Sequence, residues 1–169
     1  LTPGREFWRL LFLDRILPRA TYPMHRWPTS GAREVAVIKG ACLVLRHSAL
    51  DQVGLLDERY FMYTEEMDLC LRLALAGWRL HWVPEARVVH LGAASTRQAA
   101  EAMYLALYRS KVQFQRKFWG QWRARRLKVL VGVAYVPRWA AASVGRFAGR
   151  SLAARAHIYR RLLAELPSM

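Results

Sequence analysis

Phe61-Met62-Tyr63-Thr64-Glu65-Glu66-Met67-Asp68 is the stretch whose reading decides the fold. An aromatic turn runs into three carboxylates within four positions. Thr64 is a helix-capping residue type, and Met67, Cys70, Leu71, Ala74 and Leu75 recur at helical spacing behind it. The pattern predicts a helix over 65–76 with those five residues buried, ended by Gly77. Acidic residues in a first turn complement the helix dipole, and Asp68 with Arg72 makes a favourable i,i+4 pair. Three clustered carboxylates nevertheless repel one another and resist burial. Against an aromatic wall such as Tyr60-Phe61-Met62-Tyr63, desolvation can raise a carboxylate's pKa until it works as a general base.

Before this helix, Val35-Ala36-Val37-Ile38 reads as a short strand, and Ala41 to Leu45 continues extended. Gly40 between them marks a kink or a close approach. Ser48 as cap, with Asp51 three residues on and Gly54 as stop, predicts a helix over 49–53. After the helix come a strand over 79–83, a turn at Pro84-Glu85 and a second strand over 86–91 that carries His90. A lone histidine there is more often structural, and as a metal ligand it needs oxygen partners from elsewhere. At the N-terminus, residues 5–17 fit an amphipathic helix, and the prolines at 18, 23 and 28 make 18–33 a loop.

The chain has 169 residues, 54% of them hydrophobic, which suffices for a packed core and argues against general disorder. Two cysteines, Cys42 and Cys70, give neither a disulfide framework nor metal-ligand spacing, which fits a reducing compartment. Leu1-Thr2-Pro3-Gly4 is not the start of a signal peptide, and without an initiator methionine the chain reads as a piece of a longer protein.

The net charge of +15 is lopsided. Residues 1–95 hold 12 Lys and Arg against 10 Asp and Glu, whereas residues 96–169 hold 15 against 2. This predicts a basic helical tail, with a long helix over 97–119 and further helices to about 166, and it points to a polyanionic partner. The bland alternative is a high arginine background, since 23 of the 27 cations are arginine. Within 122–166, Trp122, Leu127, Val131, Tyr135, Trp139, Phe147, Leu152, Ile158 and Leu162 alternate with arginines, as in a helix lying in a membrane interface or packing on the protein itself. The longest uncharged run of the tail, Val129 to Pro137, has nine residues, so no bilayer-spanning helix is expected.

Five blocks, in this order, resemble the second half of family 2 glycosyltransferases, and in particular their bacterial rhamnosyltransferase-like branch. They are Gly40-Ala41-Cys42-Leu43-Val44-Leu45-Arg46, Val53 to Phe61, Tyr63 to Arg72, Gly77-Trp78, and Val83-Pro84-Glu85-Ala86-Arg87-Val88-Val89-His90. The likeness covers about residues 33–120 and includes Tyr108-Arg109-Ser110-Lys111 and Lys117-Phe118-Trp119-Gly120. It implies an α/β chain: the acceptor-side half of a GT-A, Rossmann-like fold over 34–96, led in by 1–33 and followed by the basic tail, 97–169.

The resemblance further implies inverting transfer from a nucleotide-diphosphate sugar to a cell-envelope glycan or lipid-linked acceptor. Glu66 takes the place of the catalytic base, with Glu65 as its neighbour, although this position is often Asp in the family. Asp68 matches a carboxylate that helps hold the acceptor, and Gly40, Ala41 and Cys42 match the loop beside donor and acceptor. His90 matches a histidine that assists a divalent metal, Mg or Mn. Residues 1–39 contain no Asp-x-Asp, so the main metal ligands and the nucleotide-binding half are expected outside this chain, which alone should be inactive. The implied setting is cytoplasmic, with the tail peripheral on the inner face of the cytoplasmic membrane; an oligomer is left open.

Two rival readings stand beside it. One is a non-enzymatic basic helical module that binds acidic membrane or nucleic acid through 97–166; it explains the charge but not the ordered blocks, and nucleic acid is the less favoured partner. The other is a degenerate transferase fragment with a structural role only.

Overall fold

The computed structural model describes Trp27 and residues 29–90, 99–145 and 149–169. The expected helix over 5–17 and most of the loop over 18–33 lie outside the described residues, as do Leu91 and residues 92–98. The chain divides into two compact units, Arg26–Ser110 and a second that includes Lys111–Met169.

In the first unit, β1 (Arg33–Glu34) and β2 (His81–Trp82) form an antiparallel pair with Arg33 opposite Trp82 and Glu34 opposite His81. The Val35 N–H extends the pairing by donating to the Leu80 carbonyl at 2.9 Å. The first strand thus falls two residues before the expected 35–38, and 79–83 shortens to two residues. The expected second strand over 86–91 does not form: residues 86–90 are exposed and outside any ladder. A strand persists only where its backbone groups find partners, and β-branched composition alone did not supply one. The described residues are therefore mostly helical with few strands, and the α/β expectation is met only in part.

Helix α1 (His47–Val53) begins two residues earlier than the Ser48 cap implied. Ser48 lies inside it, and Asp51 instead accepts from His47 Nδ1 at 3.0 Å. Gly54, with φ of 81°, ends the helix as expected, in a region that residues with a Cβ rarely adopt. Helix α2 (Glu65–Leu75) lies where the pattern put it, but its buried stripe is rotated. Leu69, Cys70 and Leu73 are buried, together with Asp68, whereas Ala74 and Leu75 are exposed. Leu69, Cys70 and Leu73 join Ala49 and Leu80 in a core, with Val35, Ile38, Leu43, Leu45 and Trp78 packed against it. Gly77 follows with φ of 87°.

Helix α3 (Ala100–Val144) is interrupted at Gly120, whose φ of 81° and ψ of 174° leave helical space, and it contains Pro137. Its first turns belong to the first unit. Helix α4 (Arg150–Glu165) completes the second unit. There Ala124, Leu127, Val131, Ala134 and Tyr135 of α3 are buried, as are Ala156 and Leu162 of α4, and Tyr135 meets Tyr159 edge-on at 5.2 Å. The Arg116 guanidinium bonds the Met169 carbonyl, and Lys128 Nζ donates to the Pro167 carbonyl at 2.8 Å.

Leu127, Val131, Tyr135 and Leu162 therefore pack inward, while Trp122 and Trp139 are exposed. The expectation that no segment is apolar enough to cross a bilayer is corrected: one 18-residue stretch of α3, with a mean hydropathy of 1.2, is long and apolar enough by length and composition alone. Of that stretch 28% is buried in the fold.

Candidate active site

The acid pair is presented by an unusual turn. Tyr63 and Thr64, consecutive and neither glycine, have φ of 67° and 73°. Left-handed backbone costs about 1–3 kcal/mol per such residue unless surrounding structure enforces it. Here the surroundings do. Tyr60 is buried on one side of the turn, and Ser110 Oγ donates to the Met62 carbonyl at 2.7 Å on the other. Thr64 occupies the cap position of α2, but in this conformation its side chain makes no capping bond. The N–H groups at the start of α2 thus gain no hydroxyl partner from it. Of the aromatic turn only Tyr60 is buried, and Phe61 is exposed.

Glu65 and Glu66 open α2 and are both half-buried. One oxygen of each, Oε2, is buried without a hydrogen-bond partner. Among the described residues no ion pair engages either side chain. Burial raises the Glu65 pKa above the ordinary carboxylate value, and the Glu66 charge pushes it the same way. A buried carboxylate oxygen with no donor is costly, so this arrangement favours any ligand that brings a hydroxyl or a proton.

Asp68, two residues on, has the opposite environment. It is 0% exposed, accepts from Tyr60 Oη at 3.2 Å and from Arg72 Nε at 2.7 Å. The expected Asp68–Arg72 pair is present. Burial and the Asp68 charge raise the Tyr60 pKa, so its hydroxyl keeps its proton and donates. Arg72 continues past Asp68 to the carbonyls of Val53, Gly54 and Leu55. It satisfies carbonyls at the C-terminus of α1 while fixing the start of the 54–63 turn against α2. The i,i+4 spacing announced the ion pair, but nothing local announced the three carbonyls.

The Gly40-Ala41-Cys42 segment runs beside the acid pair. A Cβ built at Gly40 would lie 3.7 Å from the Glu66 Cβ, so the backbone passes at van der Waals distance. Just before it, the Ile38 N–H points at Cys70 Sγ at 3.5 Å, one turn along α2. Gly40, Ala41 and Cys42 are all exposed. Gly40 and Glu66 are thus brought together.

His90 is exposed and lies at the end of a described segment. The resemblance implies a divalent metal. Among the described residues no group of three or more His, Cys, Asp or Glu side chains could hold an ion. One exposed imidazole does not make a centre, so the residues described here do not fit the metal by themselves.

Comparison with known proteins points one way. A family model described as glycosyl transferase family group 2 matches residues 18–166. The N-acetylglucosaminyl-diphospho-decaprenol L-rhamnosyltransferase of Mycobacterium tuberculosis is 39% identical over 112 residues, covering 61% of this chain and 36% of that protein. Rhamnosyltransferase WbbL of Escherichia coli is 49% identical over 51 residues, 30% of this chain and 19% of that protein. The O-antigen biosynthesis protein RfbC of Myxococcus xanthus is 30% identical over 107 residues, 62% of this chain and 8% of that protein. The chain thus spans well under half the length of each of these relatives. No solved structure matches it.

Proposed function

The chain belongs to glycosyl transferase family group 2 as a rhamnosyltransferase-like member, and on that premise we propose that it carries the acceptor-activating part of an inverting, GT-A-type transferase. Glu66 accepts the proton of an acceptor sugar hydroxyl. The freed oxygen attacks the anomeric carbon of a nucleotide-diphosphate sugar, and the nucleoside diphosphate departs with the electrons of the broken bond. The observation that carries this reading is the half-buried acid pair at the start of α2, each member with an unpartnered buried oxygen, beside the exposed backbone at Gly40.

The two acids take different roles. Glu65, whose proton affinity is raised, holds a proton more readily and can donate a hydrogen bond to substrate. Glu66 is assigned as the proton acceptor, the place the resemblance gives the catalytic base. Asp68 serves the acceptor side through Tyr60 and Arg72, which hold the turn, rather than by reaching a ligand itself. Gly40, Ala41 and Cys42 form the open edge along which the acceptor lies. His90 is at most one ligand of a Mg or Mn ion whose other ligands come from chain outside these residues.

The acceptor is a cell-envelope glycan or a lipid-linked sugar, a reading supported by relatives whose names specify a diphospho-decaprenol substrate and O-antigen biosynthesis. On this reading the protein works in the cytoplasm, where nucleotide sugars are made. The experiment is donor turnover by the intact enzyme with Glu66→Gln and Glu65→Gln compared side by side. A near-normal Glu66→Gln enzyme removes Glu66 from the mechanism, and a dead Glu65→Gln enzyme beside it moves the base to Glu65. The 169-residue chain alone is expected to turn over no donor.

A further inference from the structure

The second unit carries an apolar surface that its own packing leaves open. Beyond Gly120, α3 buries Ala124, Leu127, Val131 and Tyr135 on one side. On the other side Trp122, Val129, Val133 and Val136 are 69%, 64%, 62% and 52% exposed. Their spacings of seven, four and three residues put all four on one face of the helix, and Val144, 81% exposed, continues it. Exposed large apolar side chains gathered on one helix face mark contact sites.

The flanks identify the partner. Arg125 and Arg126 are exposed beside Trp122, and Lys128 follows. Burial and the neighbouring charges of Arg116 and Arg125 lower the Lys128 pKa, a sign of how closely cations crowd this end of the helix. From 111 to 169 there are 13 Lys and Arg against a single acid, Glu165, which Arg161 already engages at 2.8 Å. A nucleic acid would use the cations but would gain nothing from the valine row. A second copy of this chain would bring the same positive charge against it.

We propose that the Trp122–Val144 face of α3 docks in the plane of an anionic lipid surface, its valines and Trp122 entering the acyl boundary and Arg125 and Arg126 meeting phosphate headgroups. The helix lies in the interface rather than crossing it, because its other side is already committed to the protein core. The proposal stands apart from the sugar-transfer reading, since lipid binding is measured without turnover.

The test is co-sedimentation of the full 169-residue chain with phosphatidylcholine vesicles with and without phosphatidylglycerol. The wild-type chain should bind only the anionic vesicles, and added salt should weaken binding. Val129→Ser, Val133→Ser and Val136→Ser combined should lower the apparent affinity at least about tenfold, as three lost apolar contacts imply. Arg125→Gln with Arg126→Gln should do so by about tenfold. Circular dichroism checks that the variants keep their helix. Should the triple variant misfold, brominated lipid supplies the second readout: it should quench tryptophan emission less in Trp122→Phe than in wild type. Failure of the wild-type chain to bind, equal binding by the triple serine variant, or equal quenching with Trp122→Phe overturns the proposal. So does a triple variant that loses self-association while its lipid binding is unchanged, which assigns the face to a second copy.

Discussion

The two units handle charge in opposite ways. Residues 26–110 hold 10 Lys and Arg against 9 Asp and Glu; residues 111–169 hold 13 against 1. In the first unit opposite charges fasten local structure. Asp68 and Arg72 pair in the interior, and Asp57 and Arg59 bracket a turn at 2.6 Å. Glu65 and Glu66 depart from this in the interior: among the described residues neither joins such a pair, and each keeps a buried oxygen without a hydrogen-bond partner, which marks the candidate site. In the second unit cations greatly outnumber acids, and cohesion comes from apolar packing and from arginine and lysine bonds to backbone carbonyls. Charge balance therefore separates a unit whose acids and bases are nearly matched from one whose described residues are strongly cationic.

The largest effect should fall on the exception. In the intact enzyme Glu66→Gln is expected to lower kcat by about 10²–10⁴-fold, the range of a lost general base. Rapid-quench or coupled turnover assays would read it. Retention of most activity would show that an acid outside the pairing pattern carries no chemistry here.

Next comes the buried pair. Asp68→Ala strands the Arg72 guanidinium in a site where its side chain is only 17% exposed. Breaking such a pair costs about 3–5 kcal/mol, measurable by urea unfolding of the chain. A loss below about 1 kcal/mol, the range of an exposed pair, would erase the contrast with the second unit.

Glu65 should give a smaller and pH-dependent effect. Its folded pKa lies above its unfolded value, so the folded state binds the proton more tightly. Its contribution to stability is therefore lost as pH rises from about 4.5 through the folded pKa. Glu65→Gln removes that loss. The variant should melt slightly higher than wild type at pH 7, and the gain should vanish below about pH 4.5. A variant that melts lower at neutral pH would show the carboxylate to be favourably paired after all.

Smallest of all is the Arg161–Glu165 pair of the second unit. Arg161 and Glu165 are 49% and 21% exposed, and Arg161→Ala should cost about 0.3–0.5 kcal/mol. A cost of several kcal/mol would mean that this unit, too, depends on its ion pairs.

Much of the first unit was legible because its signals are local. Gly54 and Gly77 stop helices where the sequence put them, and the Pro84-Glu85 turn and the acid-opened helix stand where expected. What was not legible depends on distant partners. The apolar letters of α2 predict one buried stripe, but the carbonyls of Val53, Gly54 and Leu55 that Arg72 reaches lie 17 to 19 residues away, and Asp68 is buried while Leu75 is exposed. The left-handed pair Tyr63–Thr64 has no glycine to announce it, and the Ser110 hydroxyl that bonds the neighbouring Met62 carbonyl comes from 48 residues along the chain. Val88 and Val89 look like strand residues but find no neighbouring strand among the described residues. In α3 both helix faces are apolar, so composition could not say which one the protein buries and which it leaves exposed.

Arg72 has one further consequence. Three of the four groups it grips are main-chain carbonyls, which every amino acid supplies. Val53 and Leu55 can therefore drift in identity without loosening the grip, and Leu55 is already 73% exposed. Arg72 has no such freedom. A lysine reaches with one rotating ammonium, not with a planar fork whose nitrogens point along fixed, separate directions. For redesign of the turn, the side chains at the gripped carbonyls matter less to this grip than the turn's length, because an inserted residue would move the carbonyls out of register with a side chain anchored on α2.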